Sequence, residues 1–207
     1  MLLVGLTGSI GMGKSTTANM FKKYGYGVYN ADDAVHYIYE NDQKTIDQIE
    51  EKFPGSKKNN KVDRGELRNI LTRDPKRFKD LENIIHPVTR LYQINYIKGC
   101  VDESLFGCIL DIPLLFETKG EKYVDVTLLI SASEGTQRKR ILKDRKLPIN
   151  VFERIKDQQL PDKDKREKAD HIISTDQSIE ETMQEVKIMV DKFKKIKPKA
   201  WVEHYSK

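Results

Sequence analysis

Near the N-terminus, Gly8-Ser9-Ile10-Gly11-Met12-Gly13-Lys14-Ser15 sets glycines, a lysine and a hydroxyl in the spacing G-x-x-x-x-G-K-[ST]. The chemistry open to that pattern is the grip of a nucleoside triphosphate. Gly8, Gly11, Met12 and Gly13 form a stretch that can curl so that its backbone N–H groups point inward at phosphate oxygens. Lys14 is expected to reach the β- and γ-phosphates, Ser15 to ligate Mg²⁺, and Thr16 to sit near the α-phosphate. A Gly-rich turn can arise by chance. Here the apolar run Leu2–Leu6 leads straight into the pattern and Thr16–Tyr24 can continue as a helix, whose N-terminus adds a positive end at the same spot. ATP with Mg²⁺ is the expected ligand pair.

Triphosphate binding leaves switches, motors, helicases and small-molecule kinases open. Motor and helicase ATPases carry an acidic pair after an apolar strand, whereas Cys108-Ile109-Leu110 ends in the single Asp111, followed by Ile112-Pro113. A chain of this size with a helical insertion and an Arg-rich lid suits a metabolite kinase, which must exclude water to prevent hydrolysis of ATP.

These residues need a scaffold. Short apolar runs alternate with longer amphipathic ones, which predicts a parallel sheet with helices on both faces. Strands are expected at Leu2–Leu6, Gly27–Asn30, Cys108–Ile112, Val124–Ile130 and His171–Ser174. Ile179, Met183, Val186, Val190 and Phe193 lie on one face of a last long helix. Residues 31 to about 100 read as almost entirely helical, punctuated at Phe53-Pro54-Gly55 and Asp74-Pro75. Residues 137 to about 168, dense in charge and poor in apolar anchors, predict a mobile helical lid, with an ordinary solvated helix as the plain alternative. From Lys194 onward the tail reads as a fraying, solvated end that Trp201 and Tyr205 could dock.

With 207 residues, 38% hydrophobic and 33% charged, the chain suits one domain with insertions. The net charge of +5 favours anionic partners, and polyphosphate metabolites meet it as well as nucleic acid does. The stretch Met1–Leu6 lacks the basic segment of a secretory signal, and no run of about twenty apolar residues is present to span a membrane. Cys100 and Cys108 lack metal-ligand spacing and read as free thiols of a reducing cytoplasm.

Beyond the loop, motifs in succession carry a closer resemblance. They are Asn30-Ala31-Asp32 with His36; Val62-Asp63-Arg64, Leu67, Asp74-Pro75, Leu81-Glu82 and His86-Pro87; and Leu110-Asp111-Ile112-Pro113-Leu114-Leu115-Phe116-Glu117. Thr136-Gln137, Arg140, Arg154-Ile155, Gln158 and Ala169-Asp170 with Ile173 follow. In this order, from residue 3 to about 190, the chain resembles the dephospho-CoA kinase family. The resemblance implies an α/β, three-layer P-loop nucleoside triphosphate hydrolase-like fold, with a parallel five-stranded sheet flanked by helices. A core of about 1–30, 101–136 and 169–193 would carry a helical substrate-binding insertion of about 31–100 and a lid of about 137–168. The implied activity is Mg²⁺-dependent transfer of the ATP γ-phosphoryl to the ribose 3′-hydroxyl of dephospho-CoA, the last step of coenzyme A synthesis. A cytoplasmic monomer acting on small molecules is implied, without nucleic acid or membrane. A nucleoside or nucleotide kinase, and a non-catalytic ATP-binding regulator, are the alternatives.

The resemblance also implies roles. Lys14, Asp32 and Arg140 would be catalytic, with Asp32 receiving or orienting the 3′-hydroxyl proton and Arg140 stabilising charge on the transferring phosphoryl oxygens. Capping the next helix is the plain alternative for Asp32, although Asp33 could do that instead. Asn30 stands where the family has Asp and brings no charge. Asp111 would hold Mg²⁺ through a bound water, or cap the following turn. His36, Arg64 and His86 would contact the acceptor, helix-end or solvated positions being the plain readings for the histidines. Leu114, Leu115 and Phe116 would line its pocket, or fill a buried turn. Arg138, Arg145 and Arg154 add lid charge, with Asp144-Arg145 inverting the family's Arg-Asp pair.

Overall fold

Leu2–Thr7 is buried along its whole length, as a strand covered on both faces must be. The computed structural model describes residues 1–144 and 146–205. In chain order, β1 (Leu2–Thr7) leads through the loop into α1 (Lys14–Phe21), and β2 (Tyr26–Asn30) follows. Next come α2 (Ala31–Asn41), α3 (Gln43–Lys52), the short β3 (Lys57–Lys58) and β4 (Lys61–Val62), α4 (Arg64–Arg73) and α5 (Phe78–Asp102). After β5 (Gly107–Asp111) and β6 (Val126–Ser131) stand α6 (Glu134–Arg138), α7 (Ile149–Asp157) and α8 (Asp162–Lys168). The chain continues through β7 (His171–Ser174), α9 (Ile179–Phe193) and α10 (Ala200–His204). Two compact units result, residues 1–29 with 97–207, and residues 30–96.

The first unit holds a five-stranded parallel sheet in the order β2-β5-β1-β6-β7. Leu6 of β1 sits opposite Asp111 of β5, and Val4 opposite Val126 of β6. The chain places β2 and β5 on one side of β1, then β6 and β7 on the other. The end of β1 is therefore the switch point at which open α/β sheets place ligands. Leu2, Val4 and Leu6 turn the same face to Phe21 of α1 and to Val186, Val190 and Phe193 of α9. The rings of Phe21 and Phe193 stack at 6.1 Å. Phe193→Ala would open a cavity there and cost about 3–5 kcal/mol. Ile179, expected on this face, is 64% exposed in the first turn of α9.

Up to Tyr205 the tail is docked. The Asp125 carboxylate accepts the N–H groups of Leu3 at 2.8 Å, Lys199 at 2.7 Å and Ala200 at 2.8 Å. That single side chain ties the start of α10 to β1 and leaves Ala200 and Tyr205 buried.

The second unit packs Ile38, Ile46, Ile49, Phe53, Leu67, Leu71 and Ile85 into its own core. It is not purely helical. Asn59 and Asn60 adopt φ of 51° and 58°, the left-handed pair that closes a tight hairpin between β3 and β4. Asn60-Lys61-Val62-Asp63 also has the Asn-Lys-x-Asp spacing by which GTPases read guanine. Here every member has a local task. Asn60 makes the turn, Lys61 lies 3.6 Å from Glu40, Val62 is buried, and Asp63 caps α4 through the Gly65 and Glu66 N–H groups. Among the described residues no helix is long and apolar enough to cross a membrane.

Candidate active site

The loop between β1 and α1 is held from outside. A side chain at Gly8, where φ is 153°, would run into the Ile130 carbonyl oxygen. Gly13, at φ 88°, starts α1, and among the described residues no side chain caps that helix. Three loop carbonyls turn outward. Ile10 C=O accepts Gln137 Nε2 at 2.8 Å, Met12 C=O accepts the Thr175 hydroxyl at 2.8 Å, and Gly11 C=O accepts Arg140 Nη1 at 3.4 Å. Gly13 C=O accepts both the N–H and the hydroxyl of Thr17. The Ile10 N–H is donated to Gln159 Oε1 at 3.1 Å. The Met12 N–H is spent inside the turn on the Ser9 carbonyl at 3.2 Å, and the N–H groups of Gly11, Gly13, Lys14 and Ser15 are those placed to form an anion-binding concavity at the start of α1.

Lys14 Nζ lies 3.7 Å from Asp111 Oδ1, at the end of β5. Ser15 and Thr16 are exposed in the first turn of α1. Arg140 stands in a π-helical turn, Lys139–Asp144, directly after α6. Its guanidinium donates to the Thr175 hydroxyl at 2.9 Å and to the Thr175 carbonyl at 2.5 Å. Beside it opens a cavity of about 290 Å³ whose lining includes Gly13, Thr16, Thr17, Arg140, Thr175 and Gln177. Next to Thr175, Asp176 accepts the Ser133 N–H and hydroxyl. Hydrogen bonds from Thr136 and Ser133 hold its pKa down at about 2.

Two features of the segment from 137 to about 168 go beyond its motifs. Gln137 reaches the loop, but the second glutamine to do so is Gln159, while its neighbour Gln158 is exposed. No local pattern distinguishes the two, because only the turn after α7 sets which one faces inward. The segment is also better anchored than its composition suggests, since Gln137, Ile141, Phe152 and Lys165 are all buried. Arg138 and Arg154 are exposed, and Arg145 lies outside the described residues.

The other expected residues belong to the second unit or to the turn after β5. Asn30 is the N-cap of α2. Its Oδ1 accepts the N–H groups of Asp32 at 2.9 Å and Asp33 at 3.1 Å. The capping alternative for Asp32 and Asp33 therefore fails, and Asp32 stands exposed in the first turn of α2. His36, Arg64 and His86 are exposed. Burial raises the pKa of the Tyr39 hydroxyl, and Arg64 partly counters that rise. After β5, Leu114 is 38% exposed and Phe116 6%, while Leu115 is fully buried and packs beneath Gly5. Leu115 thus belongs to the core, not to a pocket wall.

Neither cysteine forms a disulfide. Cys100 and Cys108 are buried, and the pKa of the Cys108 thiol is pushed well up by its hydrogen bond with Cys100 and by burial.

Comparison with known proteins gives this geometry a family. Residues 2–181 match the dephospho-CoA kinase family model. A dephospho-CoA kinase from Rhodopseudomonas palustris is 41% identical over 180 residues, 87% of this chain and 89% of the relative. One from Bartonella quintana is 41% identical over 186 residues, 90% of this chain and 95% of the relative. The solved structure of dephospho-CoA kinase from Campylobacter jejuni matches with a TM-score of 0.62 at 26% identity, covering 92% of this chain and 96% of that one. The chain belongs to the dephospho-CoA kinase family.

Proposed function

We propose that this chain transfers the γ-phosphoryl of ATP to the ribose 3′-hydroxyl of dephospho-CoA. The hydroxyl oxygen forms the new P–O bond, the β–γ bridging P–O bond breaks, and ADP and CoA leave. The observation that carries the reading is the phosphate loop with three carbonyls turned outward and Lys14 facing Asp111. A lysine held this way can exchange its carboxylate partner for the β- and γ-phosphates.

Mg²⁺ fits the donors present. Magnesium takes hard oxygen ligands and needs only one or two from protein when phosphates and water supply the rest. Ser15 and Asp111 would hold it, and its chemistry would be to neutralise charge on the phosphate oxygens. Asp32 is assigned to the acceptor hydroxyl, which it orients and whose proton it accepts or passes to water. Support comes from its carboxylate, which follows β2 directly and has no capping duty. Arg140 is assigned to the nucleotide, on the strength of its place beside Thr16, Thr175 and the cavity. His36, Arg64, His86, Leu114 and Phe116 are assigned to the acceptor. The α6–α8 segment would close as a lid to shut out water. The enzyme is proposed to be a cytoplasmic monomer that acts on small molecules and binds neither nucleic acid nor membrane.

The test is ATP- and Mg²⁺-dependent phosphorylation of dephospho-CoA, with AMP, UMP, CMP and adenosine as competing acceptors and the product identified by mass. Conversion of dephospho-CoA alone is expected. Turnover of a nucleotide in its place would keep the phosphate-loop kinase and overturn the acceptor.

A further inference from the structure

Lys165, on α8, is wholly buried, an unusual place for a lysine. Its ammonium lies 3.0 Å from Glu117 Oε1 and 3.3 Å from the Pro113 carbonyl oxygen. The same Glu117 oxygen accepts the Leu160 N–H at 2.7 Å. The same Pro113 carbonyl accepts the hydroxyl of Thr7, the last residue of β1, at 3.1 Å. Gln159, next to Leu160, accepts the Ile10 N–H of the phosphate loop. One buried ion pair therefore fixes two things together. It holds the turn two residues past Asp111, and it holds the corner between α7 and α8 that grips the loop.

Stability alone is a poor reason for such a pair, because well-packed apolar side chains of similar volume are commonly as stable or more so. The geometry of Glu117 argues the same way. Among the described residues both of its donors meet on Oε1, while Oε2 is buried with no hydrogen-bond partner. A carboxylate serving only stability gains by satisfying both oxygens. This one is aimed.

We propose that Glu117 and Lys165 are positioning residues for phosphoryl transfer. The pair keeps Asp111 opposite Lys14 and, through Gln159, keeps the phosphate loop in its anion-binding curl. The inference rests on the kinase reading of the same site. Misplacing a group near the reacting atoms by about 1 Å costs on the order of 10²-fold in rate.

The experiment replaces the pair with Glu117→Leu plus Lys165→Met and compares this double variant with the unchanged enzyme. A folded protein is expected, with its thermal midpoint near or above the parent's. Its kcat should fall on the order of 10²-fold, and its half-maximal rate should need more Mg²⁺. Amide exchange at Ile10 and Leu160 should accelerate. A folded double variant with the parent's kcat, Mg²⁺ requirement and exchange overturns the proposal. If that variant does not fold, Glu117→Gln and Gln159→Leu repeat the test with smaller changes. Each is expected to lower kcat and speed exchange at Ile10, and parental behaviour in both overturns the proposal. Failure of the unchanged enzyme to phosphorylate dephospho-CoA would sink the kinase reading by itself. Exchange at Ile10 needs no substrate and would then decide the positioning claim alone.

Discussion

Lys14 Nζ lies 3.7 Å from Asp111 Oδ1, with the lysine side chain 14% exposed and the aspartate 3%. The carboxylate thus holds the ammonium at the mouth of the loop before any phosphate arrives. On the proposed function, incoming polyphosphate would offer more negative charge and draw Lys14 over, which would leave the Asp111 carboxylate for Mg²⁺. Lys14→Ala is expected to abolish turnover. Asp111→Asn is expected to keep the fold and raise the Mg²⁺ concentration for half-maximal rate, measured by steady-state kinetics across a Mg²⁺ series. An unchanged Mg²⁺ profile would remove Asp111 from the metal site.

Asn30, not Asp32, is the cap of α2, so the proposed acceptor role of Asp32 can be tested apart from helix capping. Asn30 caps α2, so Asp32→Asn removes a charge without touching the cap. The expected result is a kcat lower on the order of 10²-fold, as for loss of a general acid–base or orienting group, with the KM for ATP nearly unchanged. Full activity would take the acceptor role away from Asp32.

Asn30→Ala should instead read out in stability. It leaves two N–H groups of α2 without their acceptor, which costs about 1 kcal/mol. Asn30→Asp keeps an acceptor and adds a negative charge at a helix N-terminus, so no loss is expected. Urea denaturation of the three proteins checks the order.

The contrast between the two kinds of anchor explains what sequence reveals. The run Gly8–Ser15 is legible because a phosphate nest needs glycine at set places and a strand and helix on either side, all local. The grip on Ile10 is not, because Gln137 and Gln159 stand 127 and 149 residues away. The hairpin at Asn59-Asn60 escapes a reading by periodicity because each strand has only two residues. Asn60–Asp63 fails in the opposite way, with a functional spacing filled by a turn and a cap. Lys165 reads as part of a solvated face until Glu117 is brought against it. The tail reads as frayed because its dock is a single carboxylate, Asp125, far back in the chain.

His171 makes stability depend on pH. Burial lowers its pKa below the ordinary 6.5, Lys192 acts in the same direction, and Asp170 opposes. Since the folded state favours neutral imidazole, the unfolded chain takes up the proton first as pH falls. The His171 contribution is thus complete above 6.5 and is lost as pH drops through the folded pKa. The urea midpoint should be flat on the alkaline side and decline toward acid, and His171→Leu should reduce that decline. Equal slopes in both proteins would show that other groups set it.

Arg140 is where two assignments give different kinetics. A clamp on the transferring phosphoryl predicts that Arg140→Ala loses on the order of 10³-fold in kcat. The contacts the guanidinium makes also suit a second assignment, to the nucleotide's binding. The group is braced by Thr175 and lines the cavity that Thr16, Thr17 and Gln177 share, beside the first turn of α1. A planar guanidinium braced on one edge can offer its face to a base and its remaining N–H groups to the sugar-phosphate. Arg140→Ala is therefore expected to raise the KM for ATP by more than it lowers kcat. Thr175→Val removes a brace and should shift KM the same way, though less. Arg140→Lys should not restore affinity, because a point charge has neither the fork nor the plane. If kcat falls a thousandfold while ATP affinity holds, Arg140 reaches the transferring phosphoryl after all, and its contact with Thr175 must give way when ATP binds.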